Sequence, residues 1–204
     1  MPTQLVSIYF GVFCMSRIIV ESSSTAQWQN LVLEAEAQCD LHLNEDMESY
    51  LVFLLMRFLQ KPEFTSKIMA MDYLHSFIAQ GQDQQDKLRD VGDHCLLFSG
   101  LFPKIAERRQ VKISYYVGMG RSAYHHLADT CKTQLNEFYH QLAESFVHLM
   151  DILHVIRGIN QDASILTPLE ALELWGDTQS SQALKSLRYA TEASPFIDQA
   201  GNKH

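Results

Sequence analysis

Acidic and imidazole side chains recur along one face of a long helix that the sequence predicts over residues 132–157. The members of this stripe, spaced three or four residues apart, are Glu137, His140, Glu144, His148 and Asp151. Residues at such spacings are neighbours on a helix surface. Glu137-x-x-His140 also has the spacing of a ligand pair in di-iron carboxylate proteins, so the stripe is a candidate for iron binding.

Two looser pairs of the same kind, Asp72-x-x-His75 and Asp151-x-x-His154, lie on predicted helices. A di-iron site needs about four carboxylates from four helices, and the sequence offers no second good Glu-x-x-His pair. The acidic stripe also lies opposite the apolar stripe of its helix, so we expect it to face solvent. The residues that would supply metal ligands under this alternative are Asp72, His75, Glu137, His140, Glu144 and His148.

Four glycines interrupt two predicted helices in the middle of the chain, within residues 89–103 and 115–124. A glycine inside a helix costs about 1 kcal/mol relative to alanine, so these positions indicate close helix packing or space for a ligand. Gly92, Cys95 and Ser99 form a stripe of small residues on one helix. Gly120 and Ala123 share a face of the next helix. We expect this face to fill the groove that the small residues of the first helix leave.

The alternative to close packing is a ligand site, because ionisable and aromatic residues lie beside these glycines. Buried charges are paired with one another or line a functional site. The candidate ligand-binding residues are Arg89, Asp93, His94, Tyr116, Arg121 and Tyr124. His125 and His126 follow directly, with Asp129 one turn further. Adjacent residues of a helix point about 100° apart, so only one of these histidines can face a given site.

The glycine-bearing stretches resemble a group of uncharacterised bacterial helical proteins. The similar motifs are Arg-Asp-Val-Gly-Asp, Phe-Ser-Gly-Leu-Phe-Pro and Tyr-Tyr-Val-Gly-Met-Gly-Arg-Ser-Ala-Tyr, within residues 88–127. This resemblance implies a bacterial cytosolic helical protein and no assigned activity. The Gly-Met-Gly helix also resembles the glycine-bent distal helix of heme oxygenases, which implies heme binding as an alternative. Those enzymes use a proximal histidine near the chain start, whereas the first histidine here is His42.

Apolar residues recur every three or four positions from residue 25 onward, which predicts an all-α, single-domain bundle of seven to eight helices. Ser24, Asn44 and Thr167 are predicted helix caps, and Thr167 begins a capping box with Pro168 and Glu170. Phe64, Ile68, Met71, Leu74 and Ile78 are the predicted inner face of the third helix. The predicted helices cover residues 24–39, 45–60, 63–80, 83–102, 114–130, 132–157, 167–175 and 180–193.

Composition, charge and motif content argue against several classes of protein. The net charge of −8 disfavours nucleic-acid binding, because phosphate contacts need clustered Lys and Arg. The four cysteines are far apart in sequence and lack zinc-ligand spacing, which favours buried free thiols and a cytoplasmic location. The apolar run at residues 5–14 is too short to span a bilayer and lacks the flanks of a signal peptide. No phosphate-binding loop or nucleophile elbow is present.

The termini are expected to lie outside the folded domain. Met15 opens a more polar sequence, so residues 1–14 are predicted to be a non-native extension and residues 194–204 a disordered tail around a helical domain at 15–193. Since no complete catalytic constellation can be assembled, the sequence favours a non-enzymatic binding or regulatory protein that self-associates or binds a protein partner. The alternative is a metal- or heme-dependent, oxidase-like protein.

Overall fold

The computed structural model describes residues 24–60, 69–132, 134–158 and 166–192, and these residues form helices joined by short turns. The all-α prediction is confirmed. Helices α7 and α8 are separated by Ser145 alone, so the described residues contain ten helical segments, slightly more than predicted. In chain order they are α1 (Ser24–Cys39), α2 (Glu45–Gln60), α3 (Met69–Ser76), α4 (Gly81–Leu101), α5 (Pro103–Arg108), α6 (Ile113–Thr130), α7 (Gln134–Glu144), α8 (Phe146–Gly158), α9 (Pro168–Thr178) and α10 (Ser181–Glu192).

Local sequence signals set several helix starts where they were predicted. The Asn44 side chain accepts a hydrogen bond from the Met47 backbone N–H at 2.9 Å and so caps α2. Thr167 and Glu170 exchange the two hydrogen bonds of a capping box at the start of α9. The predicted termini at residues 1–14 and 194–204 lie outside the described residues.

The structure differs from the predicted boundaries at the start of α4, in the segment that follows α4 and in the middle of the predicted long helix. Gly81 begins α4 with a positive φ of 60°, whereas it was predicted to end the third helix. The predicted basic turn at 104–112 contains the short helix α5. The single helix predicted over 132–157 is interrupted at Ser145, although the Ser145 backbone N–H still donates to the Gln141 carbonyl at 2.9 Å.

The predicted inner face of the third helix is wrong for the residues that can be checked. Met71 and Leu74 of α3, and Ile78 in the turn that follows it, are 48%, 58% and 80% exposed. Ser76 is fully buried instead, because α3 is turned so that its Tyr73 and Ser76 side faces α4 and α6. Phe64 and Ile68 lie outside the described residues.

Helices α4 and α6 pack against each other at the centre of the fold. Every residue of α4 from Val91 to Leu101 is buried. A Cβ added at Gly120 of α6 would lie 2.5 Å from the Phe146 ring and 2.8 Å from Cys95 Cβ of α4. The helix backbones therefore approach closely at this glycine, as predicted.

Buried polar residues of α8 connect it to its neighbours. Asp151 was predicted on the outer stripe of its helix, but only 1% of it is exposed. Its carboxylate accepts hydrogen bonds from the Ser180 hydroxyl at 2.5 Å and the Ser181 backbone N–H at 2.9 Å, and so holds the start of α10. Burial lowers the pKa of His154, whose Nε2 lies 2.8 Å from the Ser99 carbonyl oxygen of α4, so Nε2–H donates to it.

Among the described residues, no helix has both the length and the apolar character needed to cross a membrane.

Gly120→Ala is expected to lower the free energy of unfolding by about 1–3 kcal/mol, because the added methyl group overpacks the contact with Phe146 and Cys95. Gly118→Ala is the matched control, since its added Cβ meets open space and alanine favours the helix by up to about 1 kcal/mol. Urea denaturation of both variants measures the difference. Equal stability changes at the two positions would contradict close packing at Gly120.

Candidate functional site

Two of the predicted ligand-binding residues, Asp93 of α4 and Tyr124 of α6, meet in the interior. Asp93 Oδ1 accepts hydrogen bonds from the Tyr50 hydroxyl at 2.5 Å and the Tyr124 hydroxyl at 2.7 Å. Asp93 Oδ2 accepts a hydrogen bond from the Arg57 guanidinium, with which it forms an ion pair. We call these four residues, Tyr50, Arg57, Asp93 and Tyr124, the Asp93 cluster.

The sequence positions each member of this cluster through the geometry of its helix. Tyr50 and Arg57 are seven residues apart on α2, which is about two turns, so both reach the same side. Gly92 immediately precedes Asp93, and a Cβ added there would collide with the Tyr124 ring. The missing side chain at Gly92 is therefore what lets the tyrosine ring lie against α4 and reach the carboxylate.

The cluster balances a buried negative charge. Asp93 is fully buried, and burial together with the Asp93 charge raises the pKa of both Tyr50 and Tyr124 well above the ordinary range. Both phenols therefore stay protonated and act as donors. Burial lowers the pKa of Arg57 and the Asp93 carboxylate raises it, with a raised value as the net result.

Two members of the cluster, Tyr50 and Arg57, are partly exposed at the surface. The side chain of Arg57 is 34% exposed, whereas the side chain of Asp93 is 0% exposed. One carboxylate thus faces one guanidinium and two neutral hydroxyl donors, an arrangement that satisfies a buried charge. Because Tyr124 is also fully buried, its ring closes the path from solvent to Asp93 on the α6 side. The geometry is that of a structural polar centre joining α2, α4 and α6.

The other predicted ligand-binding residues make different contacts. Arg89 Nη2 lies 3.2 Å from the Asp86 carboxylate, one turn earlier on α4. His94 is buried and its Nδ1 lies against the Asp90 carbonyl oxygen. The buried ring of Tyr116 packs against Phe98, with centroids 6.0 Å apart.

Arg121 lies between α6 and α7. Its Nε donates to the Ala143 carbonyl at 3.2 Å, and its Nη2 lies 3.6 Å from the Glu144 carboxylate. Glu144 also lies 3.4 Å from His125 Nε2, and the Nδ1 atoms of His125 and His140 are 3.2 Å apart. The neighbouring His126 faces α3, where the Tyr73 hydroxyl lies 2.8 Å from its Nδ1. The adjacent histidines therefore face different helices, as their spacing predicts.

The residues of the metal alternative are spread over three helices. Asp72 and His75 lie on α3, and His148 is exposed on α8. Glu137, His140 and Glu144 line a groove of about 650 Å³ between α7 and the start of α2. In the part of the chain that the structure describes, no three His, Cys, Asp or Glu side chains are grouped to hold a metal ion. Iron or heme binding stays a prediction from the sequence.

Sequence analysis missed Tyr50 and Arg57. Tyr50 stands at the head of an apolar run and so resembles a core residue, while Arg57 resembles a solvent-exposed cation near a helix end. The available signal is their spacing of seven residues, which aligns a phenol and a guanidinium on one side of a mostly apolar helix.

Tyr124→Phe is expected to lower the free energy of unfolding by about 1.5–3 kcal/mol, because it removes a hydrogen bond to a buried carboxylate. Tyr189→Phe is the matched control, since Tyr189 is 66% exposed and its change should stay within about 0.5 kcal/mol. Chemical denaturation followed by circular dichroism measures both. Equal effects of the two substitutions would contradict the structural role of the cluster.

Comparison of the chain with family models, curated proteins and solved structures finds no match. The resemblances noted from the sequence therefore stay predictions, and the function is argued below from the geometry of the described residues.

Proposed function

We propose that this protein is a non-enzymatic binding module that pairs with a second copy of itself through the outer face of α3. The observation that carries the proposal is a set of large, exposed apolar side chains on α3 and in the two residues that follow it. Its members, which we call the α3 outer face, are Met71, Leu74, Phe77 and Ile78, with exposed fractions of 48%, 58%, 54% and 80%.

The opposite side of α3 is anchored, so the apolar face is presented in a defined orientation. The Tyr73 hydroxyl oxygen lies within hydrogen-bond distance of His126 Nδ1 of α6, at 2.8 Å, and the Tyr73 ring is stacked on the imidazole. Ser76 is fully buried and donates a hydrogen bond to the Tyr73 carbonyl at 2.6 Å. The Tyr73–His126 contact holds α3 against α6, and α3 also packs on α4, while Leu74 and Ile78 stay exposed.

The size of the α3 outer face suits a binding surface. Four apolar side chains that are about half exposed or more form a patch on the order of a few hundred Å². Apolar patches of this size on the surface of monomeric proteins are often functional. Burying each such side chain favours association by up to about 1.5–3 kcal/mol. The patch is large enough to drive a reversible contact.

Charge makes this face a better contact for a second copy than the rest of the surface. The chain has a net charge of −8, so most of its surface repels another copy. Within α3 itself, Asp72 is the only acidic residue, and His75 lies one turn away. A two-fold axis pairs residue i with j and j with i, so antiparallel α3 helices bring Asp72 of each copy towards His75 of the other.

Leu74→Glu and Ile78→Glu are expected to abolish self-association, because each places a carboxylate on both sides of the two-fold contact. Leu169→Glu is the matched control, because Leu169 is exposed to a similar degree, 67%, but lies on α9. Sedimentation velocity over a range of protein concentrations measures the monomer and dimer populations. We expect a dimer for the parent chain and the control variant, and a monomer for both α3 variants.

A parent chain that stays monomeric at high concentration would contradict the proposal, as would a dimer that both α3 variants retain. Circular dichroism of each variant confirms that the helical fold persists, which separates loss of contact from loss of folding.

A further inference from the structure

A second buried carboxylate, outside the Asp93 cluster, lies at the C-terminal end of α1. Only 3% of Glu36 is exposed, and its Oε1 atom is buried without a hydrogen-bond partner. The side chain accepts a hydrogen bond from the Leu43 backbone N–H, so one of its two oxygens is satisfied. The large majority of buried polar atoms in proteins have a partner, so the unpaired oxygen needs a physical explanation.

Glu36 holds the turn that leads from α1 to α2. The Leu41 backbone N–H donates to the Glu36 carbonyl at 3.1 Å, and Asp40 adopts a positive φ of 58°, as is common where a helix ends. The Leu43 N–H then donates to the Glu36 side chain, and the next residue, Asn44, caps α2. The backbone and the side chain of one residue therefore both form the joint between the two helices.

The surroundings of Glu36 disfavour its ionised form. Burial raises the pKa of its carboxyl above the ordinary value, and the negative charge of Glu48 on α2 raises it further. The Leu43 hydrogen bond and the charge of His42 lower the pKa, but the net value is raised. The C-terminal end of a helix carries a partial negative charge, and the last turn of α1 contains no basic residue to offset it.

Charged groups of the other helices at this end of α1 contact different partners. Lys185 of α10 donates to the Gln38 carbonyl at 3.1 Å. Asp151 of α8 accepts its hydrogen bonds from the start of α10. The charges that act on Glu36 are therefore those of the turn and of α2.

We propose that this joint is a pH-sensitive latch, in which Glu36 takes up a proton as the solution is acidified and α1 and α2 are then held together more tightly. The ionised side chain keeps a negative charge buried near Glu48 with one oxygen unpaired, which weakens the joint at neutral pH. The neutral carboxyl removes this repulsion and can still accept from Leu43.

The direction of the pH dependence follows from the raised pKa of Glu36 in the folded chain. The folded state binds this proton more tightly than the unfolded state does. The added stability is therefore complete below the pKa of glutamate in the unfolded chain, and it is lost as the pH rises through the folded pKa of Glu36.

The direct test follows the side-chain carboxyl carbon of Glu36 by ¹³C NMR during a pH titration. We expect its midpoint to lie above that of glutamate in the same chain unfolded in urea. A midpoint at or below the unfolded value would overturn the proposal.

The stability test uses Glu36→Gln, which removes the charge and keeps an acceptor for the Leu43 N–H. At pH 7 the unfolding equilibrium constant is expected to fall at least about fivefold, the effect of relieving one unpaired buried group. The gain should shrink towards about pH 4, where the parent chain also becomes neutral at this position. Glu34→Gln is the matched control on the exposed side of α1, and its change should stay within about twofold.

A Glu36→Gln chain that is no more stable than the parent at pH 7, or whose gain is the same at both pH values, would overturn the proposal. Repeating the measurement in a Glu48→Gln background tests the contribution of α2. The gain from Glu36→Gln is expected to be smaller there by at least about twofold, because the repulsion across the joint is already absent. An equal gain in both backgrounds would contradict a latch between α1 and α2.

Discussion

The buried carboxylate of Asp93 is the constraint around which the described helices are arranged. A charge removed from water must be paired and hydrogen-bonded, and here the partners come from two other helices. Tyr50 and Arg57 fix α2 against α4, and Tyr124 fixes α6 against the same point. Any sliding of these helices would leave a buried donor or acceptor without its partner, so the cluster specifies one packing arrangement.

Two of the helical glycines, Gly92 and Gly120, allow close packing around this centre. Gly92 leaves the space that the Tyr124 ring occupies on its way to Asp93, and Gly120 lets α6 approach Cys95 of α4. The conformational cost of glycine is thus offset by contacts that a larger residue would block. The outer helices pack around this centre: α3 presents exposed apolar side chains, and α7 meets α6 through His125 and His140.

Local features of this fold were predictable, and features that depend on tertiary contacts were not. The caps at Asn44 and Thr167 involve residues close in sequence, so the patterns that predict them contain the whole interaction. Periodicity shows that a helix has an apolar side, but it does not show which neighbour that side meets, so Leu74 was assigned to the core. Asp93 was predicted to be a ligand-binding residue because it lies beside a helical glycine. Its partner Arg57 lies on another helix, and no residue near Asp93 in sequence indicates that the two side chains pair.

A double-mutant cycle between Arg57 and Asp93 tests the central claim most directly. The free energy of unfolding is measured for Arg57→Met, Asp93→Asn and the double variant. If the Asp93 cluster holds the helices together, the two substitutions are coupled by about 1–3 kcal/mol, because either one removes the same interaction. Effects that add within about 0.5 kcal/mol would show that the two groups act independently and would contradict the account.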